Sequence, residues 1–492
     1  MEIAEELRTL FDGHLEWLAV RENGRTLPLR CDEIDVTSER GRTLIGFVDD
    51  PGYTTRRISE FAPDGLELIL RTSAGISSES ESIRFVPRTP AAELAANIEL
   101  ARLEKANDGA RILLESFPQF RAERIQLNTS NGRLAQIMLR HKDRSMIAVL
   151  YDVTASVTHE SILATALKWL DGLSVRKKDP IAEIWITAEK RQAGNLQKLA
   201  ALLRTSARQP ITVVEIVRTG ERPTARPRRQ ITIGDLWREK PRKLSIPPEI
   251  VISRTARQII ELAPESIDVV FSKQGETLRF NGLPFARVRK VMGRERAWFG
   301  VERSRRPLTT ENVAALAGLI DELARYRSPN AANKRHDLYR LASEAWLESI
   351  LRRNIKLLDA NLELSPIYNQ FRSSSDKIDL LAIRRDGRLV VIELKTSPDR
   401  DAVLQAADYW RKLELQRRRG ILQDARLFGE KQILDRPLLV YMAAPALSFH
   451  RDWEYFAKVL SPELELWRWE LHEDWRRTIK VIARDRGDFR PA

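Results

Sequence analysis

Apolar positions in this chain fall into two rhythms, and the changes between them divide it. Residues 1 to about 90 carry short apolar runs at 15–20, 43–48 and 66–70, set apart by Gly, Asp, Asn and Pro. That pattern predicts a β-rich domain. From Pro90 a helical spacing runs through Leu94, Ile98 and Ala101 to Leu114. Strand-like runs follow at 133–139 and 146–150, then a helix at 161–170, a strand at 181–186, a helix at 195–203 and a strand at 211–216. This order predicts an α/β layer over residues 91–216.

The C-terminal third repeats the rhythm. A helix is predicted at 336–352, strands near 378–384 and 388–394, a helix at 400–417, a strand at 437–442, a helix at 452–459 and a strand at 464–469. Ala164-Thr-Ala-Leu-Lys-Trp169 stands where Gln405-Ala-Ala-Asp-Tyr-Trp410 stands. The likeness reads as an old internal duplication, although any two small α/β domains share some of this rhythm. Residues 217–245 are rich in Pro and Arg and read as a basic linker. Residues 246–330 read as a small α+β module ending in a helix at 310–326, and Ser328-Pro-Asn breaks the chain before the last domain. The fold class is therefore α/β and multidomain, with divisions at 1–90, 91–216, 217–245, 246–330 and 331–492.

Composition adds a partner class. The 492 residues exceed one core, and 43% hydrophobic with 31% charged residues is ordinary for a globular protein. Lys and Arg number 82 against 69 Asp and Glu, for a net charge of +13. A basic balance suits a polyanion, but charge alone suits an Arg-rich protein equally. Cys31 is the one cysteine, and the six histidines show no ligand spacing, so an intrachain disulfide and a Cys-rich zinc site are excluded. The first residues are acidic where a signal peptide would be basic, and no apolar run spans a bilayer, so a cytoplasmic protein without membrane contact is expected.

The chemistry concentrates between residues 379 and 409. Asp379 opens one apolar strand, and Glu393-Leu-Lys395 ends the next. Asp386-Gly387 predicts a hairpin between them, which would bring both acids to one end of a sheet. Two carboxylates, with the Leu394 backbone carbonyl, could hold Mg²⁺ (or Mn²⁺). Alternation puts Lys395 on the face of Glu393, where it could orient a water and offset charge at phosphorus. A further acid should come from the preceding helix. Glu348 borders its apolar stripe, whereas Glu344 points further towards solvent, so Glu348 is preferred. A Glu-x-Lys pair alone says little, but burying both charges at a strand end without a task is costly.

Glu348, Asp379, Glu393-Leu-Lys395 and Gln405-Ala-Ala-Asp-Tyr409 resemble the PD-(D/E)xK nuclease superfamily, and the Gln-x-x-x-Tyr spacing is similar to its RecB-like and NucS-like branch. The resemblance covers residues 336–470. It implies a restriction-endonuclease-like αβββαβ core with a mixed central sheet. It also implies metal binding by Asp379, Glu393 and Glu348, a catalytic Lys395, and Gln405 and Tyr409 on the DNA side. Ile378 replaces the Pro of the family's name. In the first copy Asp152-Val-Thr154 stands in place of Glu393-Leu-Lys395, so residues 91–216 read as a degenerate nuclease-like domain.

Residues 285–306 interleave charge with aromatics. Arg287, Arg289, Lys290, Arg294 and Arg296 could line a basic hairpin turned at Met292-Gly293, with Arg303 beyond it and Trp298 in the core. Arg417 and Arg418 end the Tyr409 helix and could follow a backbone leaving the site. The chain thus reads as a Mg²⁺-dependent nuclease acting on DNA, with a homodimer possible. Its rivals are a non-catalytic nucleic-acid binder on the same scaffold and an RNase.

Overall fold

The computed structural model describes residues 3–487, apart from 23, 40, 50–51, 74–79, 89–90, 176–180, 182, 219–221, 242–250, 273–274, 292–293, 303 and 366–378. Ile378, Arg303 and the Met292-Gly293 turn lie outside the described residues. The chain forms two compact units, residues 1–196 with 210–229, and residues 197–209 with 230–492. Both are built from α/β or β layers. Among the described residues no helix is long and apolar enough to cross a membrane.

The first unit opens with the helix Ile3–Asp12, which the strand-like pattern of this region did not suggest. Ala4, Leu7 and Phe11 recur at helical spacing and are buried against Trp17, Phe47 and Phe85. They cover one face of a seven-stranded antiparallel sheet whose last strand, Glu81–Pro87, returns to pair with its first, Glu16–Arg21. After the helix Ala91–Ser116 comes a six-stranded sheet in sequential order: Phe120–Leu127, Leu134–His141, Met146–Asp152, Ile184–Glu189, Ile211–Val217 and Thr224–Pro227. Its pairings run antiparallel, antiparallel, parallel, parallel, antiparallel.

The Pro- and Arg-rich stretch 217–245 is therefore not featureless. Thr224–Pro227 forms an edge strand, Ala225 is buried, and Arg226 and Arg228 both pair with the buried Glu215. Pro227 is tolerated because an edge position need not donate.

The second unit contains two sheets. Strands Ile267–Ser272, Gly275–Phe280, Leu283–Val291, Arg294–Phe299 and Arg306–Pro307 form an antiparallel sheet. Helices Arg254–Ile260 and Val313–Tyr326 supply Ala256, Ile259, Leu316, Ile320 and Leu323 to its core. The other sheet runs Leu362–Leu364, Leu380–Arg384, Leu389–Leu394, Leu439–Pro445, Glu465–Leu471 and Val481–Arg486. Its succession of antiparallel and parallel pairings is that of the six-stranded sheet in the first unit. The shared rhythm in the sequence thus corresponds to shared topology. The outer strands Leu362–Leu364 and Val481–Arg486 carried no clear sequence signal.

The helix expected over 336–352 is two helices, Asp337–Arg340 and Ser343–Arg353, because Ala342 adopts a left-handed conformation with φ 46°. The fully buried Arg327 fixes this break. Its guanidinium donates to the carbonyls of Phe280, Asn281, Leu338, Leu341 and Ala342. Burial, and then the charge of Arg476, push Arg327 down to about 9, which still leaves it charged at neutral pH. The small sheet and the Glu348 helix are joined across the Ser328-Pro-Asn break by these buried bonds.

Candidate active site

The strand Leu389–Leu394 is buried along its whole length. Val390, Ile392 and Leu394 share a core with Trp346 and Leu347, so alternation turns Val391 and Glu393 to the opposite face. The preceding hairpin turns at Asp386-Gly387 as expected. Gly387 takes φ 82°, and Asp386 accepts from the Arg388 amide at 3.1 Å. The ladder between the two strands extends to Leu380 opposite Ile392, and Asp379 stands one step beyond it.

At that end the acids and the lysine meet. Asp379 is half-buried, and its Oδ2 accepts from the Leu394 amide at 2.8 Å. Burial, and next the charge of Glu348, raise Asp379 to about 6, while the Leu394 amide and Lys395 pull the other way. Glu393 is buried, and burial together with the Asp379 charge lifts it well above the usual carboxylate range. Lys395 Nζ lies 3.2 Å from Glu393 Oε1 and 3.0 Å from Asp399 Oδ2, and it donates to Gln405 Oε1 at 3.0 Å. Burial acts to lower the Lys395 ammonium, but Glu393, Asp399 and Glu344 outweigh it and hold it above the usual lysine range. These acids hold Lys395 in its cationic form.

One atom in this cluster lacks what a buried polar atom needs. Glu393 Oε2 is buried without a hydrogen-bond partner among the described residues. An orphaned carboxylate oxygen beside a second acid is the donor set that a hard divalent cation takes. Glu393, Lys395 and Asp399 line a small cleft with Ala443, Ser448 and His450. Asp399 was not anticipated; only its place four residues after Lys395 could have signalled it.

Glu348 is buried and paired with Arg279 at 3.3 Å and Arg352 at 3.6 Å, and Asp268 completes the ion network. Glu348 reaches Asp379 through its field while its oxygens serve these arginines. The field of the half-buried Glu344 reaches Asp379, Glu393 and Lys395 alike. The buried Glu348 and the half-buried Glu344 follow the order that the wheel predicts, and Arg279 is supplied by a strand 69 residues earlier.

Gln405 meets Lys395, whereas Tyr409, one turn on, has Lys412 over its ring at 5.6 Å. Arg417 and Arg418 do not form a free basic track. Both pair with Glu414, which has no exposed side chain; Arg417 also holds Asp435, and Arg418 covers the Trp237 ring. These arginines neutralise a buried acid, a need invisible from sequence.

The basic ribbon is a two-stranded one. Arg287 pairs across with Trp298 and Arg289 with Arg296, so these four share a face, and alternation adds Arg294. Burial and the charges of Arg289 and Arg305 lower Arg287. Lys290 is on the other face, opposite Glu295, whose carboxylate accepts from the Arg254 and Thr255 amides at 3.2 and 2.9 Å. Trp298 is not a core residue: Ala297 and Phe299 take the core positions, and parity leaves Trp298 half-buried among the arginines.

The corresponding point of the first unit lacks the chemistry. Leu134 pairs across from Asp152 where Asp379 would face Glu393. The Asp152 carboxylate is consumed by the amides of Thr154 and Val157, each at 2.9 Å, and by the Thr154 hydroxyl.

No family model matches the chain. No curated protein matches it either. A solved structure described as "Structure of EndoMS in apo form" matches 39% of this chain and 89% of that chain, at 12% identity and a TM-score of 0.15. A match at that score assigns no activity.

Proposed function

We propose that the chain is a metal-dependent nuclease that hydrolyses phosphodiester bonds of DNA, with a restriction-endonuclease-like core at 331–492. The observation that carries this reading is the orphaned Glu393 Oε2 beside Asp379, with the Lys395 ammonium 3.2 Å from the other Glu393 oxygen. Two neighbouring acids both raised towards protonation, Glu393 partly by the Asp379 charge, are poorly stabilised alone and well stabilised around a cation. Asp379 and Glu393, with the Leu394 carbonyl, would hold Mg²⁺ or Mn²⁺. When bound, such an ion supplies Lewis-acid polarisation of the phosphate and a more acidic water.

The chain's own residues then have distinct tasks. Lys395, kept cationic and aimed by Asp399 and Gln405, offsets negative charge as water oxygen attacks phosphorus. The attacking water gives a proton to solvent, the bond to the leaving oxygen breaks, and that oxygen takes a proton from solvent. The face of Arg287, Arg289, Arg294, Arg296 and Trp298 suits a phosphate backbone, with a ring able to stack on a base. The first unit's α/β domain, with Leu134, Asp152 and Thr154 in the site positions, would brace or bind rather than cut.

The test is incubation with circular single-stranded, circular duplex and linear DNA, and with RNA, each with and without Mg²⁺ or Mn²⁺. Metal-dependent cleavage of DNA, lost in Asp379→Ala, is the expected result. Binding without cleavage by the intact protein would favour the non-catalytic reading, and preferential cleavage of RNA would make it an RNase.

A further inference from the structure

The cleft beside Glu393 and Lys395 is closed on one side by a segment that the metal and lysine chemistry does not use. It follows the strand Leu439–Pro445, which lies parallel to the Glu393 strand and ends on the same side of the sheet. It carries His450, which lines the cleft with Glu393, Lys395 and Asp399. No ligand motif surrounds His450 in the sequence, so only the fold reveals it.

The ring is held in one orientation. The Asp452 amide donates to His450 Nδ1 at 3.1 Å, so Nδ1 is an acceptor and the ring proton resides on Nε2. The backbone around it is fixed as well. The His450 carbonyl accepts from the Trp453 amide at 2.9 Å, the Leu447 amide donates to Glu473 Oε1 at 2.9 Å, and Trp453 Nε1 donates to Met442 Sδ at 3.4 Å. Ser448 is buried, and the Phe449 ring lies beneath Arg468 at 4.3 Å. The ring keeps about a quarter of its surface exposed.

Resting on the nuclease reading of this site, we infer that His450 is a further catalytic residue: its Nε2–H donates to a non-bridging oxygen of a phosphate bound beside Glu393 and Lys395. A fixed donor suits this place. It gains strength as the phosphate oxygens become more negative in the transition state. It needs no reorganisation, because the Asp452 amide has already set the ring.

The test uses the full chain, Mg²⁺ and a DNA substrate that the wild type cleaves. His450→Ala is expected to lower kcat about 100-fold with little change in KM. His450→Gln, whose amide nitrogen can take the place of Nε2, is expected to recover most of the loss, and His450→Asn, which mimics Nδ1, is not. A substrate carrying sulfur at the contacted non-bridging oxygen should slow the wild type and leave His450→Ala no slower. Should the alanine variant fail to fold, the Gln and Asn variants give the same comparison. Cleavage by His450→Ala within twofold of wild type, equal activity of the Gln and Asn variants, or an undiminished sulfur effect in the alanine variant would overturn the assignment while leaving the nuclease reading intact. A wild type that cuts nothing would overturn both.

Discussion

The Asp379 carboxylate accepts the amide proton of Leu394 at 2.8 Å, and this bond ties the acid that opens one strand to the peptide between Glu393 and Lys395. Asp379 thus has a structural task beside the chemical one proposed for it. Asp379→Asn keeps an acceptor for Leu394, whereas Asp379→Ala leaves a buried amide unpaired. Both variants are expected to lose at least about 100-fold in cleavage, and the alanine variant should lose about 1 kcal/mol more stability than the asparagine variant. Denaturant melts and plasmid cleavage check the two effects separately. Equal stability of the two variants would show that the Leu394 contact contributes nothing.

The raised acids fix the sign of a pH effect. Asp379 moves from an ordinary 3.8 to about 6, so its contribution to stability is present below pH 3.8 and is lost as pH rises through about 6. Glu393 acts in the same direction. The metal-free melting temperature should therefore fall between pH 5 and 7, and Asp379→Asn should flatten that fall. Mg²⁺, which needs both groups ionised, should raise the melting temperature more at pH 7.5 than at pH 5.5. Metal-free melting that rises from pH 5 to 7 would contradict this.

The two helical glutamates should separate by phenotype. Glu348→Ala leaves Arg279, itself nearly inaccessible, with Asp268 alone, and breaking such a buried network costs about 3 kcal/mol. Glu344→Gln should barely alter stability but should change the concentration of Mg²⁺ or Mn²⁺ needed for half-maximal activity. Calorimetric metal titration and urea midpoints give the two readouts.

Reversal of Arg287 and Arg289 to Glu should weaken DNA binding and shrink the salt dependence of the binding constant. Lys290→Glu, on the opposite face, should do neither. Arg417→Ala should lower stability by taking one arginine from the buried Glu414, which keeps Arg418, with the salt slope unchanged. Fluorescence anisotropy across a salt series distinguishes these cases.

Much of the site was readable because it is local in the chain. Asp379, the Asp386-Gly387 turn and Glu393-Leu-Lys395 fall within one hairpin, so alternation and turn chemistry suffice to bring them to one end. Gln405 follows on the next helix. What the sequence left open depends on burial. Glu348 is paired with Arg279 from a distant strand, Arg417 and Arg418 are held by Glu414 of their own helix, whose burial gives no local signal, and strand parity keeps Trp298 out of the core positions of Ala297 and Phe299.

The sequence by itself determined the strand and helix rhythm, the hairpin and which residues could carry charge at its mouth, because periodicity and turn propensity act over a few residues. Only the tertiary structure decided which charges are left with unmet demand. Glu393 Oε2 is an orphan, Glu348 is paired with Arg279 and His450 lines the cleft of Glu393, because burial and contact depend on elements that arrive from distant parts of the chain.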